Sequence, residues 1–225
     1  MARQEFIEDG IYHVYNRGTD KREIFLSDQD YYRFIYYLYV CNDANPIDKI
    51  RDVIIRGPTS DINERERLVN IICYALMPNH FHLLLQQRVK NGISKFIQKL
   101  STGHTMYFNS VYDRSGVLFQ GKFKSKFVHD ESYLSNLVSY IHLNPLELHQ
   151  KDWKKNGVKD FTESKEFLEG YRWSSYRDFI GKKNFFSLLD FGVIREFIGE
   201  PEEYKNSLED LIQNKESDIS QWLLD

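Results

Sequence analysis

Val69-Asn-Ile-Ile-Cys-Tyr-Ala-Leu-Met77, then Pro78-Asn79, then His80-Phe-His-Leu-Leu-Leu-Gln86 is the stretch on which the fold turns. Two runs rich in β-formers flank a two-residue turn, so the segment predicts a β-hairpin with strands over 69–77 and 80–86. Alternate residues of a strand share a face, so His80 and His82 project together while Phe81 points the other way, into the core. Two neutral imidazoles on one face are half of a metal site. By itself such a pair is more commonly a hydrogen-bonded structural feature, and the choice rests on the rest of the chain.

Upstream, Ile11-Tyr-His-Val-Tyr-Asn-Arg17 predicts a first strand ended by Gly18. Ser27 then caps a helix to about Cys41, with Asp30 at the capping-box position and Tyr31, Phe34, Ile35 and Leu38 on one stripe. Residues 42–66, with several Asn, Asp, Gly and Pro, predict an irregular insertion. Downstream, Gly92 opens a helix to about Tyr112 whose apolar stripe runs Ile93, Phe96, Ile97, Leu100, Tyr107, Phe108 and Val111, with His104 a structural neighbour. Val117 to Val128 predicts a strand in which Phe123 and Phe127 alternate with Lys122, Lys124 and Lys126. Asp130 caps a helix to about Leu143, its stripe made of Leu134, Leu137, Val138 and Ile141, and Pro145 stops it. Beyond lie an expected polar linker (147–170), the aromatic segment Tyr171-Arg-Trp-Ser-Ser-Tyr176, and helical segments near 190–198 and 202–224.

The chain has 225 residues, long enough to bury a sizeable core, and 41% hydrophobic against 28% charged residues is ordinary for a globular protein. With 15 Tyr and 16 Phe most rings must be core. The start of the chain lacks the basic and apolar regions of a signal peptide and no apolar run reaches bilayer length, so the expected location is cytoplasmic and no membrane partner is expected. Cys41 and Cys73 are far apart and form no C-x-x-C, so they read as small buried apolar residues. No glycine pattern for a nucleotide cofactor is present.

Net charge is −3, yet between Arg88 and His129 eight basic residues face the single acid Asp113, a local charge of +7 inside a remainder of −10. A basic stretch in an acidic protein is the layout of a face that meets a polyanion, although a solvated basic face with no ligand has the same composition. Lys122, Lys124 and Lys126 are the most concrete candidates for phosphate contact, with Arg114 beside them and Arg17 and His13 on the first strand.

On the helix after Asp130, Asn136, Tyr140 and Asn144 stand at i, i+4 and i+8, a polar flank beside the apolar stripe. If that flank faces the histidine strand, Asn144 supplies an oxygen to His80 and His82, and Tyr140 puts a phenol one turn away. Two nitrogens, one amide oxygen and open positions suit Mg²⁺ or Mn²⁺ better than a structural Zn²⁺. His142 shares neither flank nor stripe and reads as incidental.

These motifs together resemble a family. Tyr12-His-Val-Tyr-Asn-Arg-Gly18, Met77-Pro-Asn-His-Phe-His82, Ser115-Gly-Val-Leu-Phe-Gln-Gly-Lys-Phe-Lys-Ser125, Tyr140-Ile-His-Leu-Asn-Pro145 and Trp173-Ser-Ser-Tyr176 follow one another as in the IS200-like single-tyrosine HUH transposases. Within that group the chain is most similar to the REP-associated tyrosine transposase branch. The resemblance implies an α+β, ferredoxin-like HUH domain with a central antiparallel sheet and flanking helices, here over 1–145, followed by a helical C-terminal extension over 146–225. It also implies that His80, His82 and Asn144 hold a divalent metal, and that Tyr140 attacks single-stranded or hairpin DNA to give a 5′-phosphotyrosine and a free 3′-OH. The compact insertion-sequence enzymes carry glutamine where Asn144 stands and lack so long a C-terminal region, which leaves monomer or homodimer open. The competing expectations are a non-catalytic DNA-binding descendant and a metal phosphodiesterase that uses water.

Overall fold

The computed structural model describes residues 5–45 and 66–214. Its first half runs β1 (Ile11–Arg17), α1 (Asp28–Val40), β2 (Val69–Met77), β3 (His80–Gln87), α2 (Gly92–Val111) and β4 (Lys124–Phe127), and the sheet order is β2-β3-β1-β4. A β-α-β-β-α-β connectivity with that order is the ferredoxin-like arrangement, so the α+β expectation holds. The helices that follow are α3 (Glu131–Leu143), α4 (Leu146–His149), α5 (Trp153–Asn156), α6 (Phe161–Gly170), α7 (Tyr176–Phe179), α8 (Phe191–Ile198) and α9 (Pro201–Asn214). Among the described residues no helix is long and apolar enough to cross a membrane, and Cys41 and Cys73 are buried free thiols.

The chain divides into two compact units, with the β2–β3 hairpin shared between them. The first takes in the described part of Met1–Asn70, Pro78–His80 and Leu85–Phe127. Its core holds Val14, Phe34, Leu38, Phe96, Leu100 and Phe108, all buried, so the apolar stripes read on α1 and α2 face inward except at the end of α2, where Tyr107 is half-buried and Val111 is exposed. α1 begins with the expected capping box: Asp30 Oδ2 accepts from Ser27 N at 3.0 Å. His104 is structural, its Nε2 2.8 Å from the Ile24 carbonyl. Gly18 ends β1 because a Cβ there would lie 2.2 Å from the Arg22 carbonyl oxygen, while its N–H donates to Asn79 O at 2.8 Å.

The strand expected over Val117–Val128 is shorter than its pattern. Gly121 takes φ of 68°, which breaks the extended run, and only Lys124–Phe127 pairs with β1. The residues before it follow an irregular path held by Thr19 N to Leu118 O and Gln120 N to Arg17 O, at 2.9 and 2.7 Å. The insertion begins and ends side by side: Asn42 Nδ2 donates to Val69 O at 2.8 Å, its Oδ1 accepts from Val69 N at 3.0 Å, and Ala44 N donates to Glu66 O at 2.8 Å. The expected irregular path over 46–65 lies outside the described residues.

The second unit comprises Ile71–Met77, Phe81–Leu84 and the described part of Val128–Asp225. Here the expected polar linker over 147–170 is wrong, because most of the segment is helical and it anchors Trp153 and Leu168 in the core. Each helix is too short for its one or two apolar anchors to show a period. β2, buried along its whole length, would present an open edge. The C-terminal extension covers it: Leu76 N donates to Trp173 O at 2.9 Å, Ser175 N to Tyr74 O at 3.0 Å and Asp190 N to Ile71 O at 3.0 Å.

Candidate functional site

The second unit places Tyr140 and Asn144 at the C-terminal end of α3. Asp130 starts that helix by accepting from Tyr133 N at 2.8 Å, and Leu134, Leu137, Val138 and Ile141 bury its apolar stripe. The flank expected to be a polar margin is buried at this end, with Tyr140 2% and Asn144 1% exposed. Tyr140 meets His82 of β3 edge-on, ring centroids 5.9 Å apart and planes at 81°. The strand histidine and the helix tyrosine are therefore brought together.

A residue that sequence reasoning passed over completes this cluster. Lys154 of α5 holds its ammonium 5.1 Å from the centre of the Tyr140 ring and 3.3 Å from Asn144 Oδ1, and pairs with Glu147. Asn144 Nδ2 donates to the Tyr140 carbonyl at 3.0 Å. These two contacts fix which end of the amide is oxygen, since a turned amide would aim N–H groups at an ammonium. The positive charge of Lys154 is also placed where the end of a helix is partially negative. Ten residues separate Lys154 from Asn144 across a helix break, so no periodicity in a single sequence joins them.

His80, two positions before His82 on β3, is tied to the turn. Its Nδ1 lies 2.6 Å from Asn79 Oδ1, and Asn79 Nδ2 donates to the Lys21 carbonyl at 3.2 Å. With the Asn79 oxygen thus assigned, Nδ1 of His80 carries the proton and Nε2 is the lone-pair nitrogen, the tautomer a metal-bound histidine takes. That tautomer of His80 is compatible with a divalent metal. The Asn144 oxygen, occupied by Lys154, does not fit as it stands. Among the described residues no group of three or more His, Cys, Asp and Glu is clustered for a metal.

His142 is not incidental. It is fully buried, its Nδ1 2.7 Å from Tyr204 Oη and its Nε2 2.8 Å from Ser175 Oγ, and burial lowers its pKa to about 3. The neutral ring ties α3 to α9 and to the segment that covers β2.

In the first unit, β4 pairs Lys124 with Tyr15 and Lys126 with His13, which puts these four side chains on one face of the two strands. Lys124 Nζ lies 5.6 Å from the Tyr15 ring centre, and His13 and Tyr15 stack with centroids 5.0 Å apart. Burial, and then the charge of Lys126, lowers the pKa of His13 to about 3. Phe127 packs on Tyr12 and Phe123 on Phe6, so the alternation of lysine and phenylalanine holds locally. Lys122 is exposed ahead of the strand. Arg114 is partly engaged within the chain, its Nη1 donating to Asn109 Oδ1 at 3.0 Å and its guanidinium over the Phe108 ring. Arg17 is half-buried at the end of β1.

Residues 59–144 match the sequence model of the family described as "Transposase IS200 like", a segment that spans the histidine pair and ends on Asn144. A solved structure, "Structure of the REP associates tyrosine transposase bound to a REP hairpin", is similar over 81% of this chain and 86% of its own, with a TM-score of 0.51 and 15% identity. At that identity the likeness establishes the shared fold. Among the curated proteins nothing matches.

Proposed function

We propose that the protein is a metal-dependent DNA transesterase of transposase type, which cuts and rejoins single-stranded or hairpin DNA through Tyr140. The observation that carries this reading is the meeting of the Tyr140 ring with His82 and with the Lys154 ammonium at the end of one helix. The IS200-like match over the same residues and the fold shared with a hairpin-bound transposase support it.

The phenol oxygen of Tyr140 forms a bond to a backbone phosphorus, the bond from phosphorus to the 3′-oxygen breaks, and the phenol proton leaves as the 3′-oxygen departs as a hydroxyl. The product is a 5′-phosphotyrosine and a free 3′-OH, and the bond energy is conserved for rejoining. An ordinary phenol is protonated at neutral pH, so the reaction needs positive charge nearby, and Lys154, 5.1 Å from the centre of the ring, is one source of it. His80 and His82, with Asn144 as third donor, are the residues proposed to hold Mg²⁺ or Mn²⁺, an ion that would withdraw charge from the phosphate. Lys122, Lys124 and Lys126, with Arg114 and Arg17, are proposed to bind the DNA backbone.

The test mixes the protein with labelled single-stranded oligonucleotides carrying hairpins, in Mg²⁺ or Mn²⁺, and looks for a denaturation-resistant protein–DNA adduct. The expected adduct disappears in Tyr140→Phe and in EDTA. Cleavage that survives in Tyr140→Phe overturns the assignment in favour of another nucleophile or water. Binding with no adduct on any substrate favours a non-catalytic DNA-binding protein.

A further inference from the structure

We infer that Lys154 is a built-in competitor for the proposed metal: its ammonium sits on the Asn144 amide oxygen, and that oxygen becomes a donor only when Lys154 withdraws to Glu147. The inference rests on the metal reading above and deepens it, because it assigns a role to a residue that the histidine pair and the tyrosine do not predict.

Three observations carry it. Asn144 is buried and its amide is held at both ends, by the Tyr140 carbonyl on Nδ2 and by Lys154 Nζ, 3.3 Å away, on Oδ1. The lysine is no loose surface cation, since its side chain is 14% exposed and its charge is matched by Glu147, seven residues earlier in the chain. The same ammonium lies over the Tyr140 ring, so one group holds the tyrosine and the amide in place together. A divalent ion on that oxygen would stand beside the ammonium and repel it twice as strongly as a single charge would. Either the lysine leaves or the ion does without the amide. Glu147, already paired with Lys154, is the group that can keep the lysine neutralised once it has left the amide.

The test is a double-mutant cycle on Mn²⁺ affinity, read from free Mn²⁺ by electron paramagnetic resonance on the full chain without DNA. Lys154→Met is expected to tighten binding by about tenfold, the scale on which groups behind a metal ligand act. Asn144→Ala is expected to abolish the gain from Lys154→Met, because the amide oxygen is the donor that the lysine releases. Lys155→Met, which removes an exposed charge next door, is expected to leave affinity nearly unchanged, and Glu147→Gln added to Lys154→Met is expected to keep the gain.

A gain that persists without Asn144, a comparable gain from Lys155→Met, or no gain at all overturns the inference. So does a gain lost with Glu147→Gln, which would make the carboxylate the new donor. Circular dichroism checks the fold of each variant, and Lys154→Arg, which keeps the charge, is expected to bind Mn²⁺ as wild type does. If His80→Ala weakens Mn²⁺ binding while the cycle shows no coupling, the metal reading stands and the role of Lys154 alone falls. If no variant binds Mn²⁺, both fall.

Discussion

Ser175 Oγ lies 2.8 Å from His142 Nε2, and through this contact the segment that covers the edge of β2 is fastened to the helix that carries Tyr140. The same hydroxyl accepts from Tyr74 N at 2.9 Å and donates to Tyr74 O at 3.2 Å. Having spent its one proton on a carbonyl, it accepts from His142, so Nε2 carries the ring proton and Nδ1 accepts from Tyr204 Oη. Ser175→Ala leaves two buried N–H donors without an acceptor, at an expected cost of about 2–4 kcal/mol. Urea denaturation monitored by circular dichroism measures it, and an effect below about 0.5 kcal/mol would show that the hydroxyl is replaceable there.

Asp30 is the corresponding fastening in the first unit. Its carboxylate is fully buried and accepts from Leu26 N, Ser27 N, Tyr107 Oη and Tyr112 Oη at 2.8, 3.0, 3.0 and 2.7 Å. Four donors converge on one group that only accepts, so an amide nitrogen cannot replace either oxygen without facing a donor. Burial first, and then the bond to Asp30, pushes the Tyr107 phenol up to about 12, so it stays a donor across the working range. Asp30→Asn is expected to destabilise by about 2–4 kcal/mol, with the midpoint of urea unfolding as the measurement.

The frame of the fold and the ends of its helices were legible because they depend on local patterns. The β2–β3 hairpin, the Ser27 capping box and the helix from Asp130 each stand where periodicity and capping chemistry put them. The length of β4 was misread because alternation continues through Lys122 and Phe123, while the backbone obeys Gly121 at positive φ. The site was half legible. Tyr140 and His82 come together as their spacings allow, but Lys154 reaches Asn144 from a short helix with no period, and His142 owes its role to Ser175 and Tyr204, 33 and 62 residues away. Long-range pairs of this kind leave no mark in one sequence.

The lysines of the β4 region make a prediction about salt. Lys122 and Lys124 are exposed, whereas Lys126 is half-buried opposite His13. Each phosphate contact with a single strand contributes about 0.7 to the slope of log affinity against log salt. Lys122→Ala and Lys124→Ala are each expected to lower that slope by about this amount and to weaken binding similarly across DNA sequences. Fluorescence anisotropy with unrelated single-stranded oligonucleotides from 50 to 200 mM salt decides it. An unchanged slope would remove these residues from the DNA face, and a loss confined to one sequence would assign them to base reading.

Acid should loosen the first unit through two histidines it buries without charge. Burial lowers His13 to about 3, helped by Lys126, and lowers His104 to about 4 against the opposing pull of the Ile24 carbonyl and Asp30. An unfolded histidine titrates near 6.5. Between that value and the folded ones the unfolded chain holds more protons, so stability rises with pH there and is flat above it as far as these two groups are concerned. Each contributes up to about 1.4 kcal/mol per pH unit inside its window. Unfolding free energy is therefore expected to hold from pH 8 to 7 and to fall from pH 6 to 4.5. His104→Gln tests the share of one ring, because an uncharged amide that still donates to the Ile24 carbonyl removes the proton uptake. Its acid slope is expected to be shallower than that of the parent by about one proton, and equal slopes would mean that His104 already titrates normally in the folded chain.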